Sequence, residues 1–278
     1  MNYRHGYHAG NFADLAKHAA VLALLRAMRD GGPLLVVDTH AGAGAYDLSD
    51  AAFARSKEAE AGVQTLLAGD APDSLGPLAD YVRIKNAQAG FRGRIGLYPG
   101  SPMLALDHLR AGDAWLGCEL REDDFEALRE RLGRRGEAVR KDGYKVAVAQ
   151  AQDARRLLYL IDPPFERPDD YDRITAGVHD ILTLRPDAVF LIWLPLKDLE
   201  TFDSWLRQME REVLDVSEAS LLVAEVRLRP LTNPMKMNGC ALACLNAPEG
   251  FAAQLAAIVA DVAAVLGEDG ALGRTRLL

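Results

Sequence analysis

Apolar positions along this chain follow two rhythms. Unbroken apolar runs at 34–37, 114–118, 157–161 and 188–194 have the length of strands buried on both faces. Between them the apolar residues recur every three or four positions, which predicts helices over 11–28, 102–109, 121–135, 171–183 and 199–212. In the first helix Leu15, Ala19, Leu22, Leu25 and Met28 form the stripe. Asn11 is placed to cap it, with Asp14 as a capping-box partner, and Gly31-Gly32-Pro33 ends it. The stretch after 135 has two readings, because 145–149 alternates like a strand and 137–141 serves equally well, ending at Asp142-Gly143. Residues 219–228 and 240–246 pattern as a closing pair of strands. Strands alternating with helices predict a doubly wound α/β sheet.

Residues 46–98 break that alternation. They are helical and partly polar over 51–67 and 75–89, and they contain no central strand. The expected organisation is therefore one sheet domain formed by 1–45 and 99–278, with 46–98 as a small helical subdomain inserted after the first core strand.

Composition changes the picture at two points. With 278 residues, 49% of them hydrophobic, the chain can bury a large single core. Its net charge of −8 gives no general attraction to a polyanion, so nucleic-acid binding would need a local basic surface. Residues 1–29, with Arg4, Lys17, Arg26 and Arg29 plus three histidines, and residues 227–236, with Arg227, Arg229 and Lys236, are the candidates. Cys118, Cys240 and Cys244 lack metal-ligand or disulfide spacing, and Cys240 and Cys244 read as small core residues. No run approaches the ~18 apolar residues of a membrane span, and the start is polar rather than signal-like. The expectation is a cytoplasmic protein without a metal and without a membrane partner.

The strand ends carry the chemistry. In a doubly wound sheet ligands sit beyond the carboxyl ends of the strands. There the first strand runs into Asp38-Thr39-His40-Ala41-Gly42-Ala43-Gly44. Its glycines let backbone approach a ligand, but Asp47 stands where a dinucleotide fingerprint would have its third glycine. The second core strand ends in Glu119, an acid for ribose hydroxyls displaced in sequence by the insert. A ribose acid and a glycine loop without pyrophosphate features suit S-adenosylmethionine. The strand at 157–161 ends in Asp162-Pro163-Pro164-Phe165. Alone, this tetrapeptide reads equally as a strand-ending turn. As a site, Asp162 and the Pro163 carbonyl would accept the two N–H bonds of an exocyclic amine, and Phe165 would stack the base. Accepting both hydrogens helps pyramidalise an amine whose lone pair is otherwise shared with its ring, and stabilises the charge it gains on attack. A base within a duplex cannot reach such a clamp, so the target must be unpaired or flipped.

On these residues the chain resembles the bacterial 23S ribosomal RNA adenine-N6 methyltransferases of the RlmJ family. The shared pieces run from Tyr3-Arg4-His5 and Tyr7-His8-Ala9-Gly10-Asn11 through Ala13-Asp14, Lys17-His18 and the Thr39-to-Gly44 loop. They continue with Tyr98-Pro99-Gly100-Ser101-Pro102, Glu119, Asp142-Gly143 and the clamp with Glu166. The resemblance implies a Rossmann-like class I methyltransferase sheet and a strand ending at Asp142. It implies that Lys17, His18, His40, Ser101, Glu119, Asp142 and Gly143 line the S-adenosylmethionine site. Asp162 would touch both cofactor and target amine as the catalytic acceptor, and Tyr3 would face 23S ribosomal RNA. No obligate protein partner is implied. Phe165 departs from the tyrosine of closer relatives, and Asn246-Ala247-Pro248 from a fuller Asn-Pro-Pro. A DNA adenine-N6 methyltransferase is the alternative that keeps the chemistry. A non-catalytic RNA-binding or ribosome-assembly factor is the alternative that keeps only the scaffold.

Overall fold

The computed structural model describes residues 5–50, 57–91, 93–230 and 238–278. Its strands are β1 (Leu34–Asp38), β2 (Ala45–Asp47), β3 (Leu97–Pro99), β4 (Ala114–Cys118), β5 (Glu137–Val139), β6 (Arg156–Ile161), β7 (Val189–Pro195), β8 (Leu221–Arg227), β9 (Gly239–Leu245) and β10 (Leu272–Leu277). Eight of them form one sheet in the order β10-β8-β9-β7-β6-β1-β4-β5. The β5-β4-β1-β6-β7 stretch is parallel, and β9 runs antiparallel between β7 and β8. Asp38 lies in register with Gly117 on one side and Leu160 on the other, so β1, β4 and β6 end at one rim.

Helices cover both faces. On one face α1 (Phe12–Ala27) packs into a cluster that also takes in the insert. That insert holds α2 (Thr65–Ala68) and α3 (Gly76–Gln88), and the same cluster draws on α4 (Ser101–His108) and α5 (Glu122–Leu132). The opposite face is covered by α6 (Gly143–Gln150), α7 (Asp170–Leu184) and α8 (Leu199–Glu212). The final helix α9 (Phe251–Leu266) returns to the first face. Burial on both faces is why the central strands read as unbroken apolar runs.

At the two ends of 46–98, β2 and β3 pair antiparallel as Ala45 with Pro99 and Asp47 with Leu97. Buried Asn86 closes the return. Its Oδ1 accepts the N–H groups of Gly96 and Leu97, and its Nδ2 donates to the carbonyls of Val82 and Leu97. The insert's Val63, Leu66, Leu78 and Val82 belong to the same buried cluster as α1. The part of the expected helix before residue 57 lies outside the described residues.

The structure settles one open reading and departs from expectation at two other places. The alternation at 145–149 belongs to α6, because Asp142 caps a helix there, accepting from the N–H groups of Tyr144 and Lys145 at 3.1 and 3.3 Å; the strand is β5. Asp14 does not complete a capping box on Asn11; its Oδ2 accepts the Gly10 N–H instead, at 2.9 Å. Beyond residue 246 the apolar pattern predicts no element, yet α9 follows there and the antiparallel edge strand β10 completes the sheet. The helix is legible after the fact, since Phe251, Leu255, Ile258, Val259 and Val262 are its buried stripe. The strand carries Arg274 and Arg276 and is nowhere fully buried, so it has no apolar signature.

Asn11 does cap α1, its Oδ1 accepting from the N–H groups of Ala13 and Asp14 at 2.9 and 3.0 Å. Its Nδ2 also donates to Glu58 of the insert at 2.8 Å. Asn11→Ala is expected to cost about 1–2 kcal/mol in urea unfolding. An unchanged midpoint would contradict the capping role.

Candidate active site

The cavity at the shared rim holds about 440 Å³, within the ~300–1,000 Å³ of small-ligand pockets. Of the residues picked out in the sequence, Lys17, His18, His40, Ser101, Glu119, Asp142, Gly143 and Asp162 all line it. Pro163 is buried just behind the lining, where Pro164 takes its place. Phe165 lies beside the cavity, its ring 4.9 Å from Tyr171 and 5.9 Å from Trp193. It adopts φ +49°, an uncommon left-handed conformation for a bulky aromatic, so the turn after the clamp is strained. Tyr3 lies outside the described residues. Of the basic N-terminal cluster, Lys17 and His18 are buried and belong to this cavity rather than to a surface.

The β6 side of the cavity is a buried charge group. Lys17 Nζ is in direct hydrogen-bonded contact with Asp162 Oδ2 and lies 3.0 Å from Asp14 Oδ1. Burial alone would lower the Lys17 pKa, but the charges of Asp14 and Asp162 more than offset this and hold it well above the usual lysine range. His18 Nδ1 meets the Tyr98 hydroxyl at 2.8 Å. At the end of β1, Asp38 accepts from Ser101 Oγ at 2.7 Å. Burial pushes its pKa up to about 6 against the opposing pull of Ser101 and Lys17.

The loop after β1 fixes His40. Thr39 Oγ1 donates to the Leu160 carbonyl at 3.0 Å and lies 2.8 Å from His40 Nδ1. The Thr39 hydroxyl thus bridges the His40 ring and the end of β6 and holds the imidazole in place. Burial lowers the His40 pKa to about 4. Gly42, at φ +61°, donates its N–H to Glu119 Oε2 at 3.0 Å, while Glu119 Oε1 accepts from Arg121 N at 2.7 Å. Burial raises the Glu119 pKa. A Cβ on Gly42 would lie 2.2 Å from the Tyr46 hydroxyl and sit on a left-handed backbone, so a side chain here would strain the loop and displace Tyr46.

These shifts give opposed pH dependences. Between about pH 4 and 6.5 the unfolded chain binds a proton at His40 that the fold refuses, so this group makes stability rise with pH. Between 3.8 and about 6 the fold binds a proton at Asp38 that the unfolded chain releases, so that group makes stability fall with pH. His40→Gln is therefore expected to lose less stability than the parent chain on acidification from pH 6.5 to 4. Thermal melts across that range check it; parallel curves would refute the His40 assignment.

Beyond the β5 end, Asp142 is fully engaged. Its Oδ1 caps α6 and its Oδ2 accepts from Arg173 at 2.5 Å. Burial raises its pKa, but the Lys145 N–H and Arg173 outweigh that and hold it below the usual carboxylate range. The Arg173 guanidinium also stands over the Tyr144 ring at 4.6 Å. Sequence reasoning named Asp14 and Asp38 without giving them a role in the site, and missed Tyr144 and Arg173. Asp14 was accessible, since it sits three and four residues before Lys17 and His18 on one helix face. Arg173 reaches Asp142 from 31 residues away, with no pattern linking them.

The parallel order with one antiparallel strand beside β7, and a cavity beyond β1, β4 and β6, define a Rossmann-like class I methyltransferase. A family model described as Ribosomal RNA large subunit methyltransferase D, RlmJ, matches residues 31–277, and the chain belongs to that family. It is 29% identical to Ribosomal RNA large subunit methyltransferase J of Escherichia coli, over 89% of this chain and 88% of that protein. It is also 29% identical to the protein of the same description from Haemophilus influenzae, over 97% and 95%. A crystal structure from Legionella pneumophila superimposes with a TM-score of 0.86 at 25% identity, covering 97% of this chain and 98% of that one. The chain is thus an S-adenosylmethionine-dependent methyltransferase of ribosomal RNA. Neither the DNA-directed nor the non-catalytic alternative is favoured. Among the described residues no helix is long and apolar enough to cross a membrane.

Proposed function

We propose that the protein transfers a methyl group from S-adenosylmethionine to the N6 amine of an unpaired or flipped adenine in 23S ribosomal RNA. The observation that carries this reading is Asp162, whose carboxylate stands in the cavity at the end of β6 beside buried Lys17. Its Oδ2 is held by Lys17, while its Oδ1 makes no hydrogen bond among the described residues and is open to an amine N–H.

The residues present fit the cofactor. Six carboxylates line the cavity against Lys17 and three arginines, a balance that suits a sulfonium better than a pyrophosphate. The β4 and β6 ends flank β1 and are about 10 Å apart at the usual strand spacing, so an elongated ligand spans them. Glu119 would hold the ribose hydroxyls, and the Asp142-Gly143 backbone the heterocycle. Lys17, His18, His40 and Ser101 would line the amino-acid end near Asp162. When bound, S-adenosylmethionine supplies an electrophilic methyl group on a positively charged sulfur.

The protein's own part is to orient and to stabilise charge. Asp162 Oδ1 and the Pro163 carbonyl accept the two amine hydrogens and favour the nitrogen as it becomes positive. Phe165 presents a face to the base, and Tyr3 contacts the RNA. Residues 1–45 and 99–278 form the methyltransferase domain, with 46–98 as its helical insert. No metal and no obligate protein partner enter this scheme, and the enzyme works in the cytoplasm, where its RNA is made and assembled.

The test is transfer of labelled methyl to 23S ribosomal RNA lacking the mark, followed by nuclease mapping. One labelled N6-methyladenine is expected. Label in another base or at a ring nitrogen, or transfer only to duplex DNA, would overturn the proposal.

A further inference from the structure

We propose that Asp14 is a positioning residue for methyl transfer, holding the Lys17 ammonium against Asp162 and tying that pair to the turn at Gly10. This rests on the reading of Asp162 as the acceptor of the target amine.

Asp14 lies in the first turn of α1 and is only 3% exposed. Its Oδ1 is 3.0 Å from Lys17 Nζ, and its Oδ2 accepts the Gly10 N–H at 2.9 Å. Lys17 therefore stands between two carboxylates. One would balance its charge; the second has a geometric consequence. A lysine stem has four rotatable carbons, so an ammonium with one partner follows that partner wherever it moves. Asp14, fixed to the helix and to the turn, gives Lys17 a stationary anchor. Asp162 Oδ2 is then bound to a cation that cannot drift, which leaves Oδ1 aimed at the amine.

The turn is itself held from outside. The Gly10 carbonyl accepts the Val63 N–H at 2.8 Å, and His8 and Asn11 both reach Glu58 of the insert, at 2.9 and 2.8 Å. Asp14 is thus the joint between the catalytic pair and the backbone that leads to the amino-terminal segment.

The groups facing Lys17 are Asp14 on its own helix, Asp162 beyond β6, Asp38 at the end of β1, Tyr46 on β2 and Cys240 on β9; His18 faces Asp14 instead, its Nε2 4.0 Å from Oδ1. Burial drives the Lys17 proton off, and of the charges that retain it Asp14 contributes most. Removing that charge moves the deprotonation of Lys17 to lower pH.

Asp14→Asn keeps an acceptor for Gly10, removes the charge and turns its NH₂ toward the Lys17 ammonium. Single-turnover rates against pH, with KM for the RNA and a thermal melt, form the test. The variant is expected to lose ~10- to 100-fold in rate at saturating RNA, as a misaligned acceptor does. The alkaline limb of its pH profile moves down, with KM nearly unchanged. A parental rate and limb would overturn the inference. So would a rate loss that accompanies a lower melting temperature with an unmoved limb, which marks Asp14 as merely structural. Asp162→Ala is assayed in parallel: if that variant is active, it is the acceptor assignment that has failed.

Discussion

Asp162→Ala is expected to lose methyl transfer by at least ~100- to 1,000-fold, the cost of deleting one fixed group aimed at developing charge. Cofactor binding should only weaken, because Glu119, His40, Ser101 and the Asp142-Gly143 backbone remain in the lining. The fold should survive as well, since Lys17 keeps its 3.0 Å contact with Asp14 and is not left as a lone buried cation. Asp162→Asn sharpens the point. It matches the parent in size, but its one oxygen cannot serve both Lys17 and the amine, and its NH₂ repels whichever it faces. Single-turnover transfer at saturating cofactor, with calorimetric binding alongside, separates these effects. Full activity in either variant would remove Asp162 from the mechanism.

The same carboxylate shows what a sequence can reveal of such a site. Asp162 is visible because it ends an apolar run buried on both faces, and prolines mark the place where the run stops. Glu119 and the Gly42-Gly44 loop are visible for the same reason, as polar or flexible residues at the ends of β4 and β1. The helix cap at Asn11 is local, and local chemistry is what a sequence displays best. Contacts across the sheet are another matter. Arg173 and Asp142 sit on α7 and at the start of α6, and only the packing of those helices brings them together. The capped start of α6 hid behind an accidental alternation of apolar residues, and β10 behind its arginines. Phe165 was legible as an aromatic at the clamp, but not its rotation onto Tyr171 and Trp193.

Gly143→Ala is expected to damage both stability and cofactor binding, although it adds a single methyl group. A Cβ at 143 would lie 2.1 Å from the Thr39 carbonyl oxygen and 2.8 Å from its carbon. Both are backbone atoms and cannot rotate away, so either α6 or the loop after β1 must move. Thr39 also donates to Leu160 and carries His40, which means the displacement is passed to two walls of the cavity. Overpacking of this kind costs ~1–3 kcal/mol, or several degrees of melting temperature in a chain of this size. The S-adenosylmethionine affinity should fall by ~10-fold or more, because 1.4 kcal/mol of lost contact suffices for that. Gly76→Ala is the control: it lies at the start of α3 with no atom near its missing side chain, and should leave the affinity unchanged and the melting temperature unchanged or slightly raised. Tight binding retained in Gly143→Ala would mean that the α6 start is not part of the cofactor wall. A loss of binding at unchanged melting temperature would mean that the methyl group meets the ligand itself rather than Thr39.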